Sequence, residues 1–350
     1  MEKYIGLDVH AASCTAGVID AHGKRIGKAH VLETSAPALI EFLKSQPGRK
    51  HLCLEEGTQS TWLVEALAKH VDEIVVSHVT ESRGPKDDSR DAFALAEQLR
   101  VGAIKITVFK QTGAFGTLRQ LAKTHEMIVR DSTRAKNRLR AQYRARGIKV
   151  DRKLYTKRRR EAWLGLLPAS SLTASKLLFA QLDAVEEVRN DAHQALVEES
   201  HRHPIASILA TCPGLGEVRV AQLMSVVVTP ERFRTRSQFW QYCGLGIVMR
   251  SSSDWVQTPK GAWVRAELNK TRGLSWNFNR ILKQVFKGAA TTVIAQHPDT
   301  PLHNDYKRML ANGMKPNLAK LTLARKIASI ALAMWKRKEV YDPAKYTKSS

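Results

Sequence analysis

Tyr4-Ile5-Gly6-Leu7-Asp8-Val9 is a short apolar run that closes on an acid, and the reading of the whole chain turns on it. Period-two geometry places Tyr4, Gly6 and Asp8 on one face of a strand and Ile5 and Leu7 on the other. Ser13 to Ile19 reads as a second strand, and the turn Asp20-Ala21-His22-Gly23 leads to a third around Lys28 to Leu32. Ala36 to Lys44 has helical spacing, with Ser35 as its N-cap. His51 to Glu55 is another strand, Trp62 to His70 a helix, Glu73 to Val76 a fifth strand, and Asp91 to Arg100 a helix.

Three strands in a meander, then alternating helices and strands, is the order of an α/β ribonuclease-H-like domain, here over residues 1–110. Downstream, Leu118, Leu121, His125, Ile128, Ser132, Ala135, Leu139 and Gln142 follow three-to-four spacing. Past Gly147 and Pro168, the stripe Leu172, Ser175, Leu178, Leu182, Val185, Val188, Ala192, Ala195 resumes it. Matching seams predict an antiparallel α-helical coiled coil, a hairpin over residues 111–200. Residues 201–350 read as a mainly α C-terminal domain. Within it, Cys212-Pro213-Gly214-Leu215-Gly216 before the apolar stretch Val218 to Val228 resembles a helix-hairpin-helix turn, whose backbone N–H groups can meet a phosphate. Asn269 to Phe286 and Leu318 to Trp335 are further predicted helices, the second with Lys320, Arg325 and Lys326 on a polar face.

The charge is unevenly placed. The 350 residues carry a formal net charge of +23, which points to a polyanionic partner. Residues 1–100 are nevertheless at −3, whereas residues 130–160 hold 14 Lys and Arg against Asp131 and Asp151. Chemistry and the gripping of nucleic acid are therefore expected in different parts of the chain. Arg130, Arg134, Arg138, Arg140, Arg144, Lys157, Arg158, Arg159 and Arg160 are the candidate phosphate contacts. Four scattered cysteines without a CxxC pair exclude a zinc ribbon and a disulfide scaffold, and no run of 18 apolar residues could span a membrane. No apolar leader follows Met1, so a reduced, soluble, cytoplasmic protein is expected. There is no GxxxxGK[ST] loop for ATP, the histidines show no metal-binding spacing, and the tryptophans read as core or interface anchors.

Four acids stand where chemistry could use them. Asp8 and Glu55 close the first and fourth strands, and alternation puts Glu55, not Glu56, on the matching face. Asp88 and Asp91 are three apart at a helix start, so both can point to one side. Converging carboxylates repel one another, and a hard divalent cation such as Mg2+ is the partner that makes such a set tolerable. Two such ions can clamp the attacking and leaving oxygens of a phosphodiester.

Tyr-Ile-Gly-Leu-Asp8-Val-His, Leu-Glu55-Glu-Gly-Thr-Gln-Ser-Thr-Trp and Lys86-x-Asp88-x-x-Asp91-Ala closely resemble the motif blocks of the DEDD transposases of the insertion-sequence 110 family. Many members read Glu-Ala-Thr-Gly where this chain has Glu55-Glu56-Gly57-Thr58. The resemblance covers nearly the whole chain and implies a RuvC-like N-terminal domain, a coiled-coil connection and a C-terminal transposase domain. It extends to Arg232-Phe233, Phe239 and Tyr242-Cys243-Gly244-Leu245-Gly246. Members commonly carry a DNA-attacking serine eight residues after the equivalent of Gly244, which implies Ser252 as nucleophile, with Ser251 as the alternative. Arg250 would hold the scissile phosphate, and metal-bound acids would activate the hydroxyl, which is a poor nucleophile by itself.

The resemblance implies a recombinase that cuts and rejoins donor and target DNA, guided by a structured noncoding bridge RNA, in the bacterial cytoplasm and on the nucleoid when active. A RuvC-type two-metal endonuclease without a serine is the alternative enzyme, and a non-enzymatic nucleic-acid-binding protein is the third class. A homo-oligomer, dimer or tetramer, is expected for two reasons. Recombination needs several cuts held together, and a long arm looks too bare to bury its own apolar seam. The acids of one copy would then complete a site with Ser252 of another.

Overall fold

β1 (Glu2–Val9) is the middle strand of five in the first of two units, Met1–Thr112 and Gly113–Ser350, of a computed structural model that describes residues 1–77, 87–104, 115–250, 255–265 and 271–347. It pairs antiparallel with β2 (Ser13–Asp20), which pairs antiparallel with β3 (His30–Glu33). On its other side it pairs parallel with β4 (Arg49–Glu55), which pairs parallel with β5 (Glu73–Ser77). The resulting order β3-β2-β1-β4-β5 is compatible with the ribonuclease-H-like arrangement expected from the sequence.

Alternation sorts the two faces of this sheet. Ile5, Leu7, Ala16, Val18, Leu52 and Leu54 are buried beneath α1 (Ala36–Ser45) and α2 (Ser60–Leu67), whose Leu39, Leu43, Leu63 and Leu67 complete that core. The opposite face carries Tyr4, Gly6, Gly17 and Ile19 and is covered by α3 (Asp88–Arg100) through Phe93 and Ala96. A glycine at position 6 is what lets α3 lie so close, since a Cβ there would meet the Ala92 carbonyl oxygen at 1.9 Å. Ser35 starts α1 without a side-chain cap, because its hydroxyl instead donates to Glu33.

In the second unit, α4 (Gly116–Arg144) and α6 (Ala169–His201) run antiparallel. Lys136 pairs with Glu186 at 2.8 Å, Arg138 reaches Gln181, and Arg146 donates to Ser171. Ser132, Ala135, Leu139 and Tyr143 are buried along one seam, and Ser175, Phe179 and Leu182 along the other. Between them, a 3₁₀ turn (Arg152–Tyr155) and α5 (Arg160–Leu164) cap the tip, where Leu154, Leu164 and Leu167 join the same core. The expectation that the arm is too bare to bury its seam is thus corrected. The seam closes within the chain, so only the number of strand cuts in recombination calls for a second copy.

The roots of the pair belong to a large helical core. Leu118, Ala122 and Leu196 pack with α7 (Pro204–Ala210), α8 (Glu217–Val227), α9 (Arg236–Tyr242), α10 (Arg280–Gln296), α11 (Pro301–Ala311) and α12 (Pro316–Arg337). The expected helix from Asn269 is corrected. Thr271–Leu274 is a strand, β9, paired with β6 (Ile247–Arg250), and the helix begins at Arg280, where the Asn279 side chain accepts from the Leu282 N–H at 3.0 Å. A second small ladder joins β7 (Trp255–Gln257) to β8 (Trp263–Arg265), and a last short helix, α13, spans Pro343–Thr347. The Cys212–Gly216 turn does join two helices, and Gly214 (φ +85°) packs against the Ala289 carbonyl oxygen. All four cysteines are buried and free. Among the described residues no helix is long and apolar enough to cross a membrane.

Candidate functional site

The parallel register of β1 and β4 pairs Gly6 with Cys53 and Leu7 with Leu54, so the next step sets Asp8 beside Glu55 on the face that α3 covers. Asp87 caps α3, its carboxylate accepting from the backbone N–H of Ser89 at 3.0 Å and of Arg90 at 3.4 Å. The helix therefore starts three residues before the expected Asp91, and Asp88 and Asp91 both fall in its first turn. Carboxylates there are favoured by the helix dipole as well as by the i, i+3 spacing.

The cluster has a member that spacing rules missed. His10 Nε2 lies 3.3 Å from Asp8 Oδ2 and 3.5 Å from Asp88 Oδ1. Its backbone is pinned: the His10 carbonyl accepts from Thr34 Oγ1 at 2.9 Å and from Gln59 Nε2 at 3.1 Å. Gln59 in turn accepts from Trp62 Nε1, so the stretch after Glu55 latches onto the turn after Asp8. No second histidine stands at a ligand spacing from His10, and only the fold brings it to the two aspartates.

Burial pushes the Asp8 carboxyl above its ordinary value, and His10 opposes that while Asp88 and Asp91 reinforce it. Asp91 follows Asp88 by one helical turn on α3. One ligand atom each from Asp8, His10 and Asp88 lie within 4.8 Å of one another. That is close to the ~4.2 Å between opposite ligands of an octahedral ion with 2.1 Å bonds. Mutually repelling carboxylates at the mouth of a sheet are the donor chemistry that a divalent cation fits.

The structure brings Asp8 and Asp88 together around His10, leaves Asp91 on the same first turn of α3 as Asp88, and aligns Glu55 with Asp8 by register; Glu56 lies beyond the strand and is exposed. Ser251, Ser252 and Lys86 lie outside the described residues, and of Arg250 the backbone alone is placed, at the end of β6. The basic candidates divide. Arg130 pairs with Glu126, and Arg134 pairs with Asp131 at 2.8 Å. Arg140 lies beside the Tyr155 ring. Arg160 makes a bidentate pair with Asp183 at 2.7 Å and lies over Phe179, so its donors already serve the tip of the arm. Arg138, Arg144, Lys157, Arg158 and Arg159 are exposed and form no ion pair among the described residues.

An acid-mouthed α/β unit joined in one chain to a basic helical unit is the division of charge that suits a protein processing nucleic acid. Residues 5–144 match the transposase family model of the DEDD IS110 type, and residues 206–307 match the model described as transposase IS116/IS110/IS902 family. The insertion element IS116 uncharacterized 44.8 kDa protein of Streptomyces clavuligerus is 23% identical over 410 aligned positions, spanning 97% of this chain and 96% of that protein. The chain belongs to the IS110 family of transposases, enzymes that act on DNA.

Proposed function

We propose that this chain is the recombinase of an insertion sequence, cutting and rejoining element ends and target DNA with a Mg2+-binding acid set and a serine nucleophile. The observation that carries the reading is the meeting of Asp8 and Asp88 around His10 at the end of the central strand, with Asp91 on the same turn of α3 as Asp88, beside Glu55, within a transposase family. These four residues would hold Mg2+, with His10 beside them; bound there, the ion offsets carboxylate repulsion and stabilises charge on phosphodiester oxygens. The Ser252 hydroxyl gives up its proton and forms an Oγ–P bond as a deoxyribose oxygen leaves and takes a proton. A DNA hydroxyl then reverses the step on the new strand. Arg250 would hold the reacting phosphate.

The antiparallel α4–α6 pair would serve as a coiled-coil arm whose outward arginines and lysines hold phosphates. Sequence choice would be left to base pairing by a bridge RNA. Several cuts at one junction need more than one copy, with the acids of one and the serine of another forming a composite site.

The test is to quench the reaction in denaturant and look for protein covalently joined to DNA. The adduct is expected with the wild-type chain and with Ser251→Ala, and is lost with Ser252→Ala. Cleaved DNA without any adduct would replace this reading with metal-dependent hydrolysis of the RuvC type. Mixing Asp88→Ala with Ser252→Ala chains should restore partial cleavage. Failure to do so after verified subunit exchange would refute the composite arrangement.

A further inference from the structure

In the second unit, α9 and α12 flank a cleft of about 840 Å³ whose wall holds Arg236, Arg325, Lys326, Lys336, Arg337 and Lys345 and, among the described residues, no carboxylate. Lys326 is spoken for by Asp305, and Lys345 by Glu339 at 2.7 Å. Arg236, Arg325 and Lys336 have no acidic partner among the described residues, whereas Arg337 feels the charge of Glu339. Arg325 is the informative one. Its Nε donates to the Leu245 carbonyl, and its own carbonyl accepts from Trp240 Nε1 at 3.0 Å, so the side chain is held in place. Burial lowers its pKa, and no carboxylate counters that. A partly desolvated, oriented guanidinium without a counter-charge is costly unless an anion from outside completes it. Lys336 is likewise anchored, by a bond to the Phe233 carbonyl.

The rest of the wall mixes neutral polar groups, Ser237, Gln241, Thr322 and Ser329, with apolar Ile247, Ile330 and Leu332 and with Trp240, whose ring centre lies 5.6 Å from Arg236. Fixed cations beside a flat aromatic surface are the means by which proteins hold a single nucleic-acid strand, charge to phosphate and ring to base. The cleft is also far roomier than one phosphate needs. Ile247 on its rim begins β6, and Ser252 follows five residues later in the sequence, at most ~18 Å along fully extended chain.

We propose that this cleft seats the phosphates of a single DNA strand, the one presented for cutting, with Arg325 and Lys336 as its fixed cations and Arg236 and Arg337 as its outer ones. The assignment of that strand rests on the recombinase reading; the binding itself does not, and it is tested without chemistry. The probes are a fluorescent dT12 and a U12 RNA, bound to the full-length chain in EDTA, with anisotropy followed against salt. Lysine acetylation read by mass spectrometry reports the cleft directly. With dT12, Lys336 should be protected several-fold and U12 should protect it less. The Arg236→Gln/Arg337→Gln chain, altered at two exposed positions, should lose about 0.7 of log–log salt slope per phosphate contact removed. An unprotected Lys336 with an unchanged slope would overturn the proposal, and so would protection by U12 but not dT12. A wild-type chain that forms no covalent adduct yet shows the footprint would sink the recombinase reading and leave this site standing.

Discussion

Replacing Gly6 by alanine should separate the two halves of the acid cluster. A Cβ at position 6 would lie 1.9 Å from the Ala92 carbonyl oxygen, 2.6 Å from the Ala96 nitrogen and 2.9 Å from Leu95 Cβ. The first two are backbone atoms of α3, which cannot swing aside, so the helix must lift as a body. Restoring a tolerable 3.0 Å at the nearest contact takes about 1.1 Å of movement. Overpacking of this kind costs ~1–3 kcal/mol. The functional loss should be larger in proportion. Asp88 and Asp91 ride on the first turn of the displaced helix while Asp8 stays on the sheet, and a 1 Å misplacement of reacting groups costs on the order of a hundredfold in rate. Chemical denaturation measures the first effect and a transposition reporter in cells the second. Gly17→Ala provides a graded comparison, since its nearest contacts, to Phe93, are at 2.9 Å and need far less adjustment. A Gly6→Ala chain with wild-type stability and full transposition would refute the close seating of α3 and, with it, the placement of Asp88 and Asp91 over Asp8.

Asp8→Ala and Asp88→Ala should each abolish transposition in cells, and Mg2+ should raise the melting temperature of the wild-type chain more than that of Asp88→Ala; intact transposition in either variant would end the metal assignment. His51 is held between Glu2 and Glu73 at 2.7 Å each; burial lowers its pKa, but the two carboxylates outweigh that and raise it. Its contribution to stability is therefore complete below the ordinary histidine value and lost as pH rises through the raised one, so the gap between wild type and His51→Gln should shrink as pH climbs above the ordinary histidine value of ~6.5, and a constant gap would contradict this. Arg160→Ala should destabilise the arm by ~1–3 kcal/mol in denaturant unfolding, because Asp183 loses its bidentate partner and Phe179 its cover; no change would show that the pair is incidental. Replacing Lys157, Arg158 and Arg159 by glutamine should lower the salt slope of nucleic-acid binding by ~0.7–0.9 per lost contact, and an unchanged slope would assign that cluster to solvent.

The first unit was legible because each of its strands carries a local alternation that one burial pattern satisfies. Ile5 and Leu7 face one layer, and Tyr4, Gly6 and Asp8 the other. The helix pair was legible for the same reason at a different period. Ser132, Ala135 and Leu139 do line the seam, whereas Val188 is exposed, since the stripe on α6 drifts and Leu196 takes up the core position instead. Two features were not legible. The short strands β6 to β9 span three or four residues each, too few for a period to register, and Gly273 weakens the signal further. His10 belongs to the acid cluster through long-range bonds from Thr34 and Gln59, a relation that no spacing along the chain encodes.

The buried cysteines give this chain an internal clock for opening. Cys14 and Cys53 sit in the first unit, Cys212 and Cys243 in the second, two thiols to each. Burial pushes the Cys53 thiol up to about 11 and Cys212 up to about 12, and raises Cys14 and Cys243 as well. At pH 8 a thiol of pKa 11 is ionised in only about one molecule in a thousand, and alkylation needs both the thiolate and access to it. Modification of any of the four therefore records an excursion in which its surroundings come apart. Peptide-resolved alkylation over time would time the loosening of the sheet and of the helical core independently, without a single introduced label.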